Sequence, residues 1–356
     1  MIKVVTIVGA RPQFIKAAAV SREFKNSGKI QEVIVHTGQH FDNNMSDIFF
    51  EEMEIPKPDY FLGINGLSHG AMTGQMLEKI EEVLLKEQAD WVLVYGDTNS
   101  TLAGALAAKK LHFKVAHVEA GLRSFNMKMP EEINRILTDR ISDILFCPTD
   151  TAVENLETEG FTFHDIKIYQ NGDVMQDAAI FYSAKCRKPN FDLPESFVLA
   201  TIHRAENTDS IENLTSIFTA FHEIAKTKKI VLPIHPRTRK ILDNSSIKID
   251  NQKIILIDPV GYLEMVYLLK NCELVMTDSG GLQKEAFFFE KNCVTFREET
   301  EWVELVKNGF NIVSGTDSKS IIEAYKKQKS KISDFNIDLY GKGMACKKIV
   351  DALLNY

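Results

Sequence analysis

Short, largely apolar runs recur along the chain, each followed by a longer stretch whose apolar residues return every three or four positions. Ile2–Val8, Glu32–His36, Trp91–Tyr95, Ala116–Val118 and Ile144–Phe146 are runs of the first kind and read as strands buried on both faces. Gly70–Glu87 carries Met72, Met76, Ile80, Val83 and Leu84 on one face, which is the period of an amphipathic helix. Asn99–Lys110 and Glu131–Asp139 read as further helices. The second half repeats the grammar, with strands at Phe197–Thr201, Ile230–Ile234, Ile254–Ile257, Leu274–Met276 and Val294–Phe296. Helices at Ile211–Lys226, Tyr262–Lys270 and Leu282–Phe289 lie between them. This β-α alternation predicts an α/β protein of two Rossmann-like domains, each a doubly wound parallel sheet with helices on both faces. Two such sheets are expected to face a central cleft, with ligands outside the carboxyl ends of the strands.

A length of 356 residues fits two domains of about 170 residues each. The seam is expected near Asn171–Gly172, giving domains 1–170 and 171–342; Lys185–Pro194 adds a basic, proline-containing stretch before the second sheet. A net charge of −7 argues against nucleic acid as a partner, because neutralising phosphates takes an excess of Lys and Arg. No uncharged apolar run approaches the roughly 18 residues that span a bilayer, so no membrane partner is expected. Met1-Ile2-Lys3-Val4 runs straight into a strand and leaves no room for a signal peptide. The five cysteines are scattered and form no CxxC pair, and the nine histidines show no HExxH spacing. A reducing, cytoplasmic setting and no metal site are the expectation.

The candidate chemistry falls at strand ends. Gly9-Ala10-Arg11-Pro12 follows the first strand, with Lys16 five residues past Arg11, and feeds a helix whose free N–H groups attract anions. It is not GxGxxG, so dinucleotide binding is not indicated. Asp97 and Thr98 end another strand, a place where Asp or Thr is also an ordinary N-cap. Glu119 follows Val115–Val118, beside Ala120-Gly121. Pro130-Glu131-Glu132 starts a helix, and Glu131 with Arg135 at i,i+4 is also the spacing of a surface ion pair. Three acids on one sheet's ligand side, Asp97, Glu119 and Glu131, suit proton abstraction and return on two faces of a carbon. His203-Arg204 ends the strand at Phe197–Thr201, where a histidine is often simply packed. Thr277–Glu285 is the sharpest signal. A strand runs into Ser279-Gly280-Gly281 and then a helix, so backbone N–H groups can cradle phosphate, and Glu285 one turn on can accept ribose hydroxyls.

Together these residues resemble the non-hydrolysing UDP-N-acetylglucosamine 2-epimerase family over essentially the whole chain. The matching segments are Gly9–Lys16, Gln39-His40, Gly96-Asp97-Thr98, His117–Arg123, Pro130–Arg135, Thr277–Glu285 and Tyr340–Gly343. The resemblance implies the glycosyltransferase-B fold, with a C-terminal helix in 343–356 packing back on the first domain. It implies C2 epimerisation of a UDP-2-acetamido sugar by elimination and re-addition of UDP, with no cofactor. By that resemblance Asp97, Glu119, Glu131 and His203 are catalytic. Arg11, Lys16, Gln39, His40, Arg135, Ser279, Gly280, Gly281 and Glu285 bind substrate. A cytoplasmic homodimer making surface-polysaccharide precursors, such as those of O-antigen, is implied as well. Three departures point to the branch acting on UDP-2,3-diacetamido-2,3-dideoxy-glucuronate. Gln13 replaces a glutamate, the loop before Pro130 is short and carries Lys128, and Glu301-Trp302-Val303-Glu304 replaces Glu-Arg-Pro-Glu. A glycosyltransferase of the same fold would share the Gly-Gly loop without needing three acids. A hydrolysing 2-epimerase would release free sugar, and a sensor would leave the UDP-sugar unchanged.

Overall fold

Seven parallel strands make the first sheet: β1 (Ile2–Val8), β2 (Ile30–His36), β3 (Tyr60–Phe61), β4 (Trp91–Tyr95), β5 (Lys114–Val118), β6 (Ile144–Cys147) and β7 (Lys167–Gln170), in the order β3-β2-β1-β4-β5-β6-β7. Six more make the second: β8 (Phe197–Thr201), β9 (Lys229–Pro233), β10 (Ile254–Ile257), β11 (Leu274–Thr277), β12 (Cys293–Thr295) and β13 (Asn311–Val313), in the order β10-β9-β8-β11-β12-β13. The computed structural model describes residues 1–39, 50 and 53–356. Both sheets are the expected parallel α/β kind. Each grows outward from a central strand and then reverses once, between β1 and β4 and between β8 and β11. Loops that leave two such strands diverge to opposite faces and open a crevice at the carboxyl edge.

The helices follow from local rules. Arg11–Ser27 starts with Pro12, whose missing N–H costs nothing in a first turn, and stops at Gly28 with φ 62°. His69–Glu87 buries Met72, Met76, Ile80, Val83 and Leu84 against the sheet residues Val92 and Val94. In the second unit Val198, Ala200 and Met276 of the sheet share one core with Phe221 of helix Ile211–Ile224 and with Phe296, which follows β12. Burial of each large apolar side chain contributes about 1.5–3 kcal/mol. The two- and three-residue strands β3 and β13 are too short to show a period, and pattern reading misses them. It also misses β7 and helices Asp150–Thr158, Val174–Ser183, Pro236–Asp243 and Ser318–Ser330.

The chain divides into two units, Met1–Ala178 with Asp338–Tyr356, and Ala179–Ile337. The first therefore runs past the seam expected at 170. The reason is local: Asp173 N donates to the Tyr340 carbonyl (2.9 Å), which ties the stretch after Gly172 to the returning chain. Asp177 then caps the C-terminal helix Ala345–Leu354, accepting from Cys346 N (2.9 Å) and Ala345 N (3.2 Å). That helix packs on Arg11–Ser27.

Glu32 of β2 is an ionisable group in this packing. Burial pushes its carboxyl up to about 7, with Asp59 adding to the effect and hydrogen bonds from Thr6 and Ser21 opposing it. Thr6 Oγ1 donates to it at 2.6 Å. A carboxyl that holds its proton more tightly when folded stabilises fully below its unfolded value, and that contribution fades as pH rises toward 7. Glu32→Gln, which cannot ionise, should gain stability relative to wild type between pH 5 and pH 8, on the order of 2 kcal/mol. Parallel melting-temperature curves for the two proteins across that range would count against an ionising Glu32.

Candidate active site

Where the first sheet reverses, the loops after β1 and β4 must both close over buried ends, and one side chain satisfies both. Gln13 Oε1 accepts from Gly9 N (2.8 Å) and Ala10 N (3.0 Å). Its Nε2 donates to the Tyr95 carbonyl (2.7 Å) and to the Thr98 and Thr101 hydroxyls (3.0 Å each). The residue that departs from the family pattern is thus the tie between the two loops. Its amide serves as acceptor and donor at once. Arg11 stands exposed as the first residue of its helix, and Lys16 is buried one turn on. Gln39 accepts from Ser100 N (3.0 Å) and Ser100 Oγ (2.7 Å), joining the loop after β2 to the start of helix Asn99–Lys110. His40 lies outside the described residues.

The N-cap of that helix is Thr98, whose hydroxyl accepts from Thr101 N. Asp97 is therefore free of capping duty, and its carboxylate turns to Arg135 Nη2 at 2.6 Å. Burial raises its proton affinity; Glu119 and Glu131 add to this, while Arg135 and Lys16 oppose it, and the net direction is upward. Glu119 pairs with Lys16 and sits at φ 71°, a conformation rare outside glycine. Gly96 makes room for that pair, since a Cβ there would lie 3.3 Å from Glu119 Oε2 and 3.8 Å from Lys16 Nζ. Four charged groups named from the sequence thus meet at the carboxyl end of the first sheet, Asp97, Glu119, Lys16 and Arg135, while Glu131 is exposed and reaches Asp97 only through its charge. A carboxyl with raised proton affinity among paired cations is suited to general acid/base chemistry.

The helix Pro130–Ile141 departs from expectation in one respect. Arg135 pairs not with Glu131 at i,i+4 but with Glu132 at i,i+3, Nη1 to Oε2 at 2.6 Å. Successive helix residues point about 100° apart, so Glu131 faces solvent while Glu132 is buried. Asn134 Nδ2 donates to the Asp97 carbonyl (2.9 Å). Behind the site His117 spans Asp139 and the Gly96 carbonyl at 2.7 Å each, and Arg123 binds both Asp139 and Glu159. Sequence reading named Gln13 without its role and gave none to Glu132, Asn134 or Asp139. Nothing in the pattern separates Glu132 from Glu131 except helical phase.

The second unit repeats the device. Asp278, at the end of β11, accepts from His203 N (3.1 Å), Arg204 N (3.0 Å) and Asn207 Nδ2 (3.0 Å), and pairs with His203 Nδ1 at 3.0 Å. Burial works to raise this carboxyl, but the bonds to His203, Asn207 and Arg204 N outweigh it and hold the group below the ordinary range. His203 itself stays half exposed, with one ring nitrogen fixed by Asp278. Ser279 caps helix Gly280–Phe288, and Gly280 and Gly281 are its first two residues. A Cβ at Gly280 would collide with Glu301 Oε1, whereas one at Gly281 would meet nothing within 4 Å. The open side of the loop is therefore at Gly281, with free helix N–H groups behind it. Glu285 is buried in the second turn of that helix. Among the described residues no group of three or more His, Cys, Asp or Glu is placed to hold a metal, and no helix is long and apolar enough to cross a membrane.

Residues 22–354 match the family model described as UDP-N-acetylglucosamine 2-epimerase. The chain is 56% identical, over 99% of both chains, to the UDP-2,3-diacetamido-2,3-dideoxy-D-glucuronate 2-epimerase of Pseudomonas aeruginosa. It is 43% identical to the UDP-N-acetylglucosamine 2-epimerase of Methanocaldococcus jannaschii, over 99% of this chain and 98% of that one. A crystal structure of the M. jannaschii UDP-GlcNAc 2-epimerase in complex with UDP-GlcNAc and UDP superposes with TM-score 0.88, covering 99% of this chain and all of that chain.

Because Asp278 gathers three donors and His203 at a fully buried point, Asp278→Ala should cost about 3–5 kcal/mol of stability at pH 7. A group held below its unfolded range stabilises above pH 4 and loses that contribution as pH falls through its folded value. The gap between variant and wild type in urea melts should accordingly close below pH 4. A variant as stable as wild type at pH 7 would show that the tie is dispensable.

Proposed function

The chain belongs to the UDP-N-acetylglucosamine 2-epimerase family and is an epimerase acting at C2 of a UDP-sugar; we propose that its substrate is UDP-2,3-diacetamido-2,3-dideoxy-glucuronate and that Asp97, Glu119 and Glu131 move the proton. The cluster around Asp97 carries the catalytic part of this reading. The C2 proton is not α to a carbonyl and is barely acidic, so departure of UDP must lead or accompany its removal. In the forward step a carboxylate takes the C2 proton, the C1–O bond breaks, UDP leaves with the bonding electrons, and a C1–C2 double bond remains. Re-addition returns the UDP oxygen to C1 and a proton to the other face of C2. A base on one face and an acid on the other are both needed, and the first unit supplies three carboxyls.

Stabilising the departing diphosphate matters as much as the base. Arg11, Lys16, Arg135 and His203 are the cations and hydrogen-bond donors for it in this reading. Ser279, Gly280 and Gly281 hold its oxygens, Glu285 takes the ribose, and Gln39 and His40 complete the substrate contacts. Support for the glucuronate comes from the 56% identical relative and from Lys128, exposed on the short loop before Pro130, where a C6 carboxylate would find a cation. UDP-N-acetylglucosamine, bound by the M. jannaschii relative, is the second reading. A cytoplasmic homodimer serving surface-polysaccharide synthesis belongs to the same proposal and rests on the family resemblance alone.

Both UDP-sugars incubated in D2O without acceptor test the chemistry and the substrate together. The expected product is a new UDP-sugar carrying deuterium at C2, formed faster from the glucuronate. Asp97→Asn should lower turnover about 10²-fold or more while UDP still binds. Full retention of hydrogen at C2 would sink elimination and re-addition.

Gly281→Val separates ligand collision from folding, because the space beyond Gly281 is open. The variant should melt like wild type yet bind UDP at least tenfold more weakly, a loss of about 1.4 kcal/mol by calorimetry. Unchanged UDP affinity would remove the Gly-Gly loop from the diphosphate site.

A further inference from the structure

Resting on the reading of Asp97 as an acid/base group, we propose that Glu132 is a positioning residue for the C2 proton transfer, holding Arg135 between its own carboxylate and that of Asp97. The geometry is a chain of short bonds inside one unit. Glu132 Oε2 accepts from Arg135 Nη1 at 2.6 Å, and Arg135 Nη2 reaches Asp97 Oδ2 at 2.6 Å. The other duties of the Glu132 carboxylate keep it from swinging away. Its Oε1 accepts from Ser124 N (3.0 Å) and Phe125 N (2.8 Å), and Oε2 also accepts from Ser124 N (3.0 Å). Those bonds hold Phe125, a non-glycine residue, at φ 57° and fix the start of the loop that carries Lys128.

The charge balance gives Glu132 its effect. Burial opposes its ionisation, but the Ser124 and Phe125 N–H groups and Arg135 outweigh that, so it is an anion at neutral pH. One guanidinium is thereby shared between two acids. The charges that act on Asp97 are those of Arg135 beside it, Glu119 at the end of β5, Lys16 from helix Arg11–Ser27, and, from the solvent side of helix Pro130–Ile141, Glu131. If Arg135 were unshared, its full charge together with Lys16 would draw Asp97 toward permanent ionisation and make it a weaker base. Gln at position 132 would still accept from the Ser124 and Phe125 amides with its one oxygen but would offer Arg135 no charge.

Carboxyl 13C NMR titration of Asp97, its signal identified by its loss in Asp97→Asn, reads this without relying on turnover. In Glu132→Gln the Asp97 titration should move down by about one pH unit, and in Arg135→Gln it should move up. The acid limb of kcat/KM for the UDP-sugar should follow the same two directions, with kcat falling roughly tenfold in Glu132→Gln. An Asp97 titration in folded Glu132→Gln that coincides with wild type overturns the proposal, whatever the activity. Should Glu132→Gln not fold, Glu132→Asp makes the same test, because a side chain one methylene shorter does not reach Arg135 while it accepts from the Ser124 and Phe125 amides. Asp97 should then titrate lower, and no movement overturns the proposal. Absence of epimerisation by wild type would instead strike the acid/base reading, leaving the titration result standing on its own.

Discussion

Each sheet must be closed at the point where its strand order reverses, and that constraint organises the rest of the molecule. Two neighbouring parallel strands send their chains to opposite faces there, leaving backbone N–H and carbonyl groups that no ladder satisfies. A single buried polar side chain answers this in each unit. Gln13 draws the loops after β1 and β4 together with donor and acceptor atoms of one amide. Asp278 draws in the segment after β8 from the end of β11 with a carboxylate. The choice of amide or carboxylate follows from what must be bonded. The first reversal offers N–H groups on one loop and a carbonyl on the other, which a carboxylate could not donate to. The second offers only donors, including a histidine ring.

Charges are then placed around these ties in compensated sets. In the first unit Lys16 meets Glu119, Arg135 meets Asp97 and Glu132, and Asp139 meets His117 and Arg123. Desolvating an ion costs several kcal/mol unless partners replace the water, so such sets are the condition for keeping carboxylates in a strand-edge crevice at all. The result is not neutral for chemistry. Burial raises the proton affinity of Asp97, the charges of Glu119 and Glu131 add to this, and Arg135 and Lys16 offset it only in part.

The sheets were legible in the sequence because strands buried on both faces are written as unbroken apolar runs, and Trp91–Tyr95 needs no partner to be read. The phosphate loop was legible because Ser279-Gly280-Gly281 between a strand and a helix has a backbone meaning of its own. Glu132 was not legible. Two adjacent acids at a helix start satisfy the same dipole rule, and which one turns inward depends on where the helix packs. Asp278 stood inside a recognised motif, yet its role depends on His203, 75 residues away, which no local pattern relates to it. The seam was placed early for a similar reason: the bond from Asp173 to Tyr340 joins positions far apart in sequence.

The remaining departure from the family pattern concerns the second unit's positive charge. Trp302 stands where the family pattern has arginine, and the Lys284 ammonium lies 3.8 Å from the centre of its ring, both residues being buried. A desolvated cation over an indole face is held by about 2 kcal/mol, so a lysine of helix Gly280–Phe288 is retained there by the aromatic ring. Arg297 meanwhile binds Glu301 at 3.0 Å, and Glu301 is the side chain that closes off Gly280. Positive charge is therefore kept beside the Gly-Gly loop, but on Arg297 and Lys284, each anchored to the segment Thr300–Trp302. An arginine at 302 would bring a third cation into this small region and take away the aromatic face that holds Lys284.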